Sequence, residues 1–328
     1  MDLNKLFERV SSTIYKNKDF LIATHTFPDG DALGSLVAVY ELMRSLKKNA
    51  FMICNSEIPY HYKFLPYNDK IKRNLDCIDL SNKRYISICL DSADESRLNL
   101  DFKKLRENSK KIINIDHHFS NTNFGDINIV GKEKSATAEI IYKLLIRDFE
   151  KFLNHNIALG LYVGILTDTG KFQYFNTSPE VHKIVSHLLE YDIKPYRIFS
   201  NIYEREPFNR FKLLQLVLKR VKLMESEKLV YSYVLQKDFS KLNLPPSSHD
   251  GMIELIRSTE DAKISAFLRQ VGNKKFKVSL RSSDNSINVA TVAGAFGGGG
   301  HRMASAYTAN GALKKIISDL INSIKNKI

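Results

Sequence analysis

Ile112-Ile113-Asn114-Ile115-Asp116-His117-His118 is the stretch whose reading decides the fold. A short run of β-branched apolar residues reads as a buried strand. It passes without a spacer into an acidic and imidazole cluster. Other elements end the same way. Phe20–Thr24 runs into His25-Thr26-Phe27-Pro28-Asp29-Gly30-Asp31, and Tyr85–Leu90 into Asp91-Ser92-Ala93-Asp94. A later helix runs into Thr167-Asp168-Thr169-Gly170. Apolar spacing at Leu33, Leu36, Val37, Tyr40, Met43 and Leu46 predicts a helix over Ala32–Lys48, and Phe51–Cys54 reads as a further strand. Helices are expected at about 135–148, 155–166 and 179–190. Apolar strands alternating with helices predict an α/β fold with a parallel sheet covered on both faces. In open α/β sheets the ligand crevice lies outside the carboxyl ends of the strands, so the polar clusters should converge there.

The chain has 328 residues, enough for about two domains and a sizeable core. Its 43% hydrophobic and 26% charged residues are those of a soluble globular protein. No apolar run approaches the ~20 residues that span a bilayer. The amphipathic helix expected from Met1-Asp2-Leu3 onward has no signal-peptide core. Cys54, Cys77 and Cys89 form no Cys-x-x-Cys pair, and Cys54 and Cys89 lie in apolar runs, so buried reduced thiols and a cytoplasmic protein are expected.

Of the net charge of +13, residues 1–190 carry +2 and residues 191–328 carry +11. A near-neutral domain over 1–190 is therefore expected to pass through a helical connector at 191–225 into a smaller basic domain at 226–328. Strands are expected at Lys228–Val234, Lys263–Leu268 and Lys275–Leu280, with helices near 249–258, 288–296 and 311–327. A lysine-rich surface set by composition alone competes with a polyanionic ligand as the source of the basic charge. Within the second domain stands Phe296-Gly297-Gly298-Gly299-Gly300-His301. Glycine runs occur in linkers, but the ordered flanks Ile287–Ala290 and Ala304–Tyr307 argue for a loop whose bare amides approach an anion.

Each strand-end cluster also has a structural reading: Asp29-Gly30 makes a turn, and Asp31 is placed to cap the helix that starts at Ala32. Together they offer two histidines and four aspartates. Mixed nitrogen and oxygen donors without cysteine suit Mn²⁺ or Mg²⁺ better than structural zinc. That many carboxylates need more than one divalent cation, and paired cations are the usual device of phosphoester hydrolysis.

Asp116-His117-His118, taken with His-x-x-x-Asp-x-Asp, Asp-Ser-Ala-Asp, Thr-Asp-Thr-Gly and the Gly-Gly-Gly-Gly-His loop, resembles the DHH phosphoesterase superfamily with its DHH-associated C-terminal domain. The motifs stand in family order over essentially the whole chain. The compact length resembles the nanoRNase/pAp-phosphatase branch and the stand-alone cyclic-di-AMP phosphodiesterases. The extra domain of the single-strand exonucleases is not expected. The resemblance implies a parallel-sheet DHH domain, a smaller α/β domain and an active site in the cleft between them. It implies that His25 and Asp29 hold one Mn²⁺, that Asp31, His117 and Asp168 hold the other, and that Asp91 bridges both. His118 is expected to face the scissile phosphate and Asp116 to orient a histidine. Gly297, Gly298, Gly299, Gly300 and His301, with Arg281 and Ser282, are expected to bind the nucleotide; Arg257 and Arg269 are weaker candidates. Short RNA or a cyclic dinucleotide is the expected substrate, and a homodimer the expected assembly. Tyr307 stands where a small residue is common and is expected to alter the fit of the nucleotide.

Overall fold

The computed structural model describes residues 3–78 and 84–325. Met1 and Asp2 of the expected first helix, and the end of the expected last helix beyond 325, lie outside the described residues. The chain divides into two compact units, residues 1–205 and 206–328.

In the first unit the strands are β1 (Asp19–Thr24), β2 (Asn49–Ile53), β3 (Ile71–Lys72), β4 (Tyr85–Leu90), β5 (Ser109–Asp116) and β6 (Ile127–Val130). All pair in parallel in the order β3-β2-β1-β4-β5-β6. Its helices are α1 (Leu3–Lys16), α2 (Gly30–Ser45), α3 (Phe102–Glu107), α4 (Thr137–Asp148), α5 (His155–Asp168), α6 (Pro179–Leu189) and α7 (Pro195–Phe199). The strand order reverses between β1 and β4, where the crevice of a doubly wound sheet opens.

Alternation along the strands divides the core into two layers. Phe20, Ile22, Ile86, Ile88, Ile113 and Ile115 pack with the buried faces of α1, α2, α4, α5 and α6. Leu21, Ala23, Tyr85, Cys89 and Ile112 face the other way, toward Leu75, Leu98 and Leu105. That second face is covered by short turns and α3 rather than by long helices. Cys54 and Cys89 are buried, and burial pushes both thiols up to about 12; Cys77 is exposed.

α2 and α5 touch backbone to backbone. A Cβ on Gly34 would run into the Gly160 carbonyl oxygen, and one on Gly160 into that of Gly34. One turn further along, a Cβ on Gly164 would lie 2.7 Å from Asp31 Oδ1, and one on Gly30 would strike Thr167. The two helices therefore run antiparallel, and the start of α2 lies beside the end of α5. Asp31 and Asp168 are brought to one place by this packing.

The second unit holds α8 (Phe208–Lys219), β7 (Lys222–Met224), β8 (Leu229–Val234), α9 (Gln236–Leu242), α10 (Met252–Arg257), β9 (Ile264–Gly272), β10 (Lys275–Ser282), α11 (Val289–Gly294), β11 (Gly299–His301), β12 (Ala304–Asn310) and α12 (Leu313–Lys325). Its sheet runs β11-β12-β10-β9-β8-β7; β8 and β9 are parallel and the other pairs antiparallel. Leu268, Val278, Leu280 and Tyr307 pack with α11 and α12 on one face. Phe267 meets α8, α9 and α10 on part of the other. No helix among the described residues is long and apolar enough to cross a membrane.

Candidate metal centre and nucleotide face

Six side chains converge at the carboxyl ends of β1, β4 and β5. His25 Nε2 lies 3.4 Å from Asp91 Oδ2 and 4.0 Å from Asp29 Oδ1. His117 Nε2 lies 3.1 Å from Asp168 Oδ2, 3.7 Å from Asp91 Oδ1 and 4.0 Å from Asp31 Oδ2. His25, Asp29 and Asp91 form one compact donor set, and Asp31, His117 and Asp168 another. Asp91 touches both histidines, one with each carboxylate oxygen. The backbone of Asp91 is left-handed, φ +54°, a costly conformation for a residue other than glycine.

The supporting bonds settle which ring nitrogen faces the cluster. His25 Nδ1 donates to the Thr26 carbonyl at 2.8 Å, and His117 Nδ1 to the Lys134 carbonyl at 3.3 Å. Both Nε2 atoms therefore face the carboxylates, the orientation that metal-ligating histidines require. His118 differs: its Nδ1 donates to Asp116 Oδ1 at 2.7 Å, and Asn121 donates to the other Asp116 oxygen at 2.6 Å. That pairing turns His118 Nε2 away from its anchor, on a ring that keeps partial exposure.

Asp31 is wholly buried in the first turn of α2 and does not cap it; Asp29 does, accepting from the Ala32 amide at 3.0 Å. The cap lies one residue outside the helix, and the helix begins at Gly30 rather than Ala32. Asp31 instead accepts the first amides of α4, Thr137 N–H at 2.6 Å and Ala138 N–H at 2.9 Å. The Thr137 hydroxyl donates to Asp91 Oδ1 at 2.9 Å. Thr137 thus anchors Asp31 of one donor set and Asp91 of the other. The sequence reading passed over it because a threonine opening a helix has an ordinary structural explanation.

Charge within the cluster is unbalanced. Burial drives the Asp31 carboxyl well above its usual range, with the Asp91 and Asp168 charges adding to the effect. Asp168 is pushed up to about 7, by burial first and then by neighbouring carboxylates against the opposing His117 bond. Burial disfavours a charged His117, but the bond to Asp168 and the charges of Asp31, Asp168 and Asp91 override it and raise the ring to about 10. Asp91 is held down to about 2 because its histidine neighbours outweigh its burial. Four carboxylates this close need protons or cations. Two divalent cations match their four negative charges, and the donor set of carboxylates and imidazoles fits them.

In the second unit, strand register sorts the remaining candidates. Arg281 pairs with Ala304, and Ala304 pairs with His301. Arg281 and His301 therefore share one level and one face, two strands or about 10 Å apart. The same face carries Gly299, Ala306, Ser279 and Lys277, and it continues to Phe267, level with Ser279, where α8, α9 and α10 pack. Arg281 makes an ion pair with Glu254 at 3.2 Å. Ser282, next along β10, points the opposite way; it is buried, and its hydroxyl donates to the Asp284 carbonyl at 2.8 Å. Tyr307 likewise faces the core, stacked on Phe296 at 4.5 Å, so the expected influence on a nucleotide gives way to core packing. Arg269 lies level with Lys277, and its Nε is buried without a partner. Arg257 closes α10.

The four glycines do different work. Gly297 takes φ +72° and, with Gly298, returns its amide to the end of α11. A Cβ on Gly298 would collide with the Ala306 carbonyl, and one on Gly300, at φ +140°, with Ser305. Gly299 alone of the four has neither positive φ nor any atom within 4 Å of a Cβ position. The fold gives no reason for glycine there, and His301 beside it is exposed.

Residues 19–165 match the DHH family, N-terminal domain, and residues 226–327 match the DHHA1 domain. The bifunctional oligoribonuclease and PAP phosphatase NrnA of Thermus thermophilus is 32% identical over 88% of this chain and 84% of its own. This chain belongs to the DHH phosphoesterase family. The Bacillus subtilis protein of the same name is 27% identical over 89% of this chain and 90% of its own. An exopolyphosphatase-related protein from Bacteroides fragilis shares the fold, with a TM-score of 0.90 over 98% of this chain and 96% of that one at 24% identity. The cluster around Asp91 is the candidate metal centre of this DHH-family chain.

Proposed function

We propose that this DHH-family protein is a Mn²⁺-dependent phosphodiesterase that cleaves very short oligoribonucleotides to 5′-mononucleotides and removes the 3′-phosphate of pAp. The observation that carries the reading is the placing of Asp91 between two donor sets. The names of the relatives support the linear substrates; a cyclic dinucleotide such as cyclic di-AMP is the competing substrate. In this reading His25 and Asp29 hold one cation, Asp31, His117 and Asp168 hold the other, and Asp91 is shared. Bound there, the pair supplies an activated hydroxide and neutralises the charge of the displacement. Hydrolysis breaks the P–O3′ bond, the water oxygen joins phosphorus, and the departing 3′-oxygen takes a proton. His118, fixed through Asp116, offers Nε2 to the scissile phosphate. Thr137 keeps Asp31 and Asp91 in place while the charge shifts.

The domain over 1–190 is the catalytic part in this reading, with 191–225 joining it to a substrate-binding domain at 226–328. Arg281, Gly299 and His301 are the nucleotide-binding residues of the second domain in this reading. Ser282 supports the turn at Asp284 instead. A homodimer belongs to the same reading and is checked by light scattering. The test is AMP release from pApA and from cyclic di-AMP, and phosphate release from pAp, with Mn²⁺ and after chelation. Turnover of pApA and pAp that stops on chelation is expected. No AMP from pApA with Mn²⁺ would sink the proposal, and faster attack on cyclic di-AMP would transfer the function to the cyclic substrate.

A further inference from the structure

Three phenylalanines stand in solvent on the segments that carry the donor residues. Phe27, between His25 and Asp29, is 87% exposed; Phe119, next to His118, is 66% exposed; Phe175, on the loop after Asp168, is fully exposed. One exposed phenylalanine is ordinary. Three on separate segments that meet at one cluster need a reason.

The segments are not slack. Asn176, beside Phe175, donates to the carbonyls of Asp168 and Ser135, both at 3.1 Å. Phe27 holds a left-handed backbone, φ +54°, strained for so bulky a residue. The loop after Asp168 also sorts its aromatics: Phe172 packs against His182 at 5.6 Å, and Tyr174 lies over Gly170, whereas Phe175 does neither. Neighbouring side chains on these segments, Thr26, Ser120, Gln173 and Asn176, are neutral hydrogen-bonding groups.

We propose that Phe27, Phe119 and Phe175 form an aromatic rim on which the bases flanking the scissile phosphate stack. This rests on the oligonucleotide reading above and deepens it: the catalytic unit reads the base as well as the phosphate. A π face beside neutral polar groups suits any nucleobase, so the rim selects nucleotides over other phosphoesters without choosing among sequences. Its members stand on the donor-bearing segments, Phe27 between His25 and Asp29, Phe119 next to His118 and Phe175 next to Asn176, which holds the Asp168 carbonyl.

The test uses the full chain with Mn²⁺ and two substrates, pApA and the same dinucleotide with abasic sugars. Phe27→Ala, Phe119→Ala and Phe175→Ala should each raise KM for pApA roughly 5- to 150-fold, the range of one lost base–aromatic stack, with kcat little changed. KM for the abasic dinucleotide should not move. Phe175→Trp should retain the wild-type KM and Phe175→Leu should not. Equal losses on both substrates, full activity in Phe175→Leu, or a change of oligomeric state in light scattering would each overturn the rim. Should Phe27→Ala fail to fold, the two exposed positions with ordinary backbone carry the test. A wild-type protein that cleaves pApA while all three alanine variants match it removes the rim alone; one that cleaves no pApA removes the function and the rim together.

Discussion

In the first unit Asp31 and Asp91 are buried and face one another; in the second Lys277 and His301 are exposed, and Arg281 is half-buried against Glu254. Asp31 and Asp91 have almost no contact with water, and their geometry is imposed by helix packing, helix amides and the Thr137 hydroxyl. Arg281, Lys277 and His301 share one sheet face and are spaced by strand register, with Arg281 also held by Glu254. Buried carboxylates that cannot separate demand cations. Exposed cations at strand spacing offer a long-range and forgiving grip. Under the proposed function, the difference teaches that chemistry is sited where the backbone leaves no freedom, and substrate holding where it does.

Asp91→Ala breaks the comparison most severely. It removes the carboxylate that lies between His25 and His117, and pApA turnover should fall to background in a steady-state assay while circular dichroism stays native. Normal turnover would reject the shared-cation account. Thr137→Val comes next. It deletes one hydrogen bond to Asp91 and leaves the amide on Asp31, and should cost roughly 10- to 100-fold in kcat/KM or in Mn²⁺ affinity. Thr137→Ser should restore most of the loss, which a purely steric role for the methyl group would not allow.

The glycine run sharpens the contrast within the second unit. Gly298→Ala meets the Ala306 carbonyl and should destabilise the protein by about 1–3 kcal/mol in urea unfolding. Gly299→Ala meets nothing and should leave the unfolding midpoint unchanged while raising KM for pApA. The reverse pattern would return Gly299 to the scaffold.

The smallest expected effect is on acid stability. Asp238 accepts from Arg220 at 2.5 and 3.0 Å, and although burial opposes it, this pairing holds the carboxyl below its usual range. A carboxylate with a depressed folded-state value stabilises fully above the unfolded value near 4, and loses that contribution as pH falls further. Asp238→Asn should therefore cost about 1–3 kcal/mol at pH 7 and flatten the decline in the melting temperature between pH 5 and 3. An unchanged acid limb would remove this pair from the stability of the second unit.

Much of this was legible in the sequence, and the physical reasons are specific. His25, Asp29, Asp31, Asp91 and His117 follow apolar strands, and in a parallel sheet all strand ends point the same way, so their convergence follows from the topology. Asp168 is different. It ends α5, whose place is set by Gly34, Gly160 and Gly164, glycines that look like helix weaknesses until the second helix is present. Thr137 is invisible for a similar reason, since its value lies wholly in what it touches. Arg281 and Ser282 are neighbours in sequence and strangers in space, because strand side chains alternate. The same alternation sends Tyr307 into the core. β3, with two residues, and β6, with four, are too short for periodicity to announce them.

The central claim is a pair of cations sharing Asp91, and it is tested most directly by Mn²⁺ titration of the full chain, followed by calorimetry and electron paramagnetic resonance. Two ions per chain with a spin-coupled spectrum are predicted for the wild type, with the coupling lost in Asp91→Ala. A single ion, or two uncoupled ions whose spectrum is unchanged by Asp91→Ala, would contradict it.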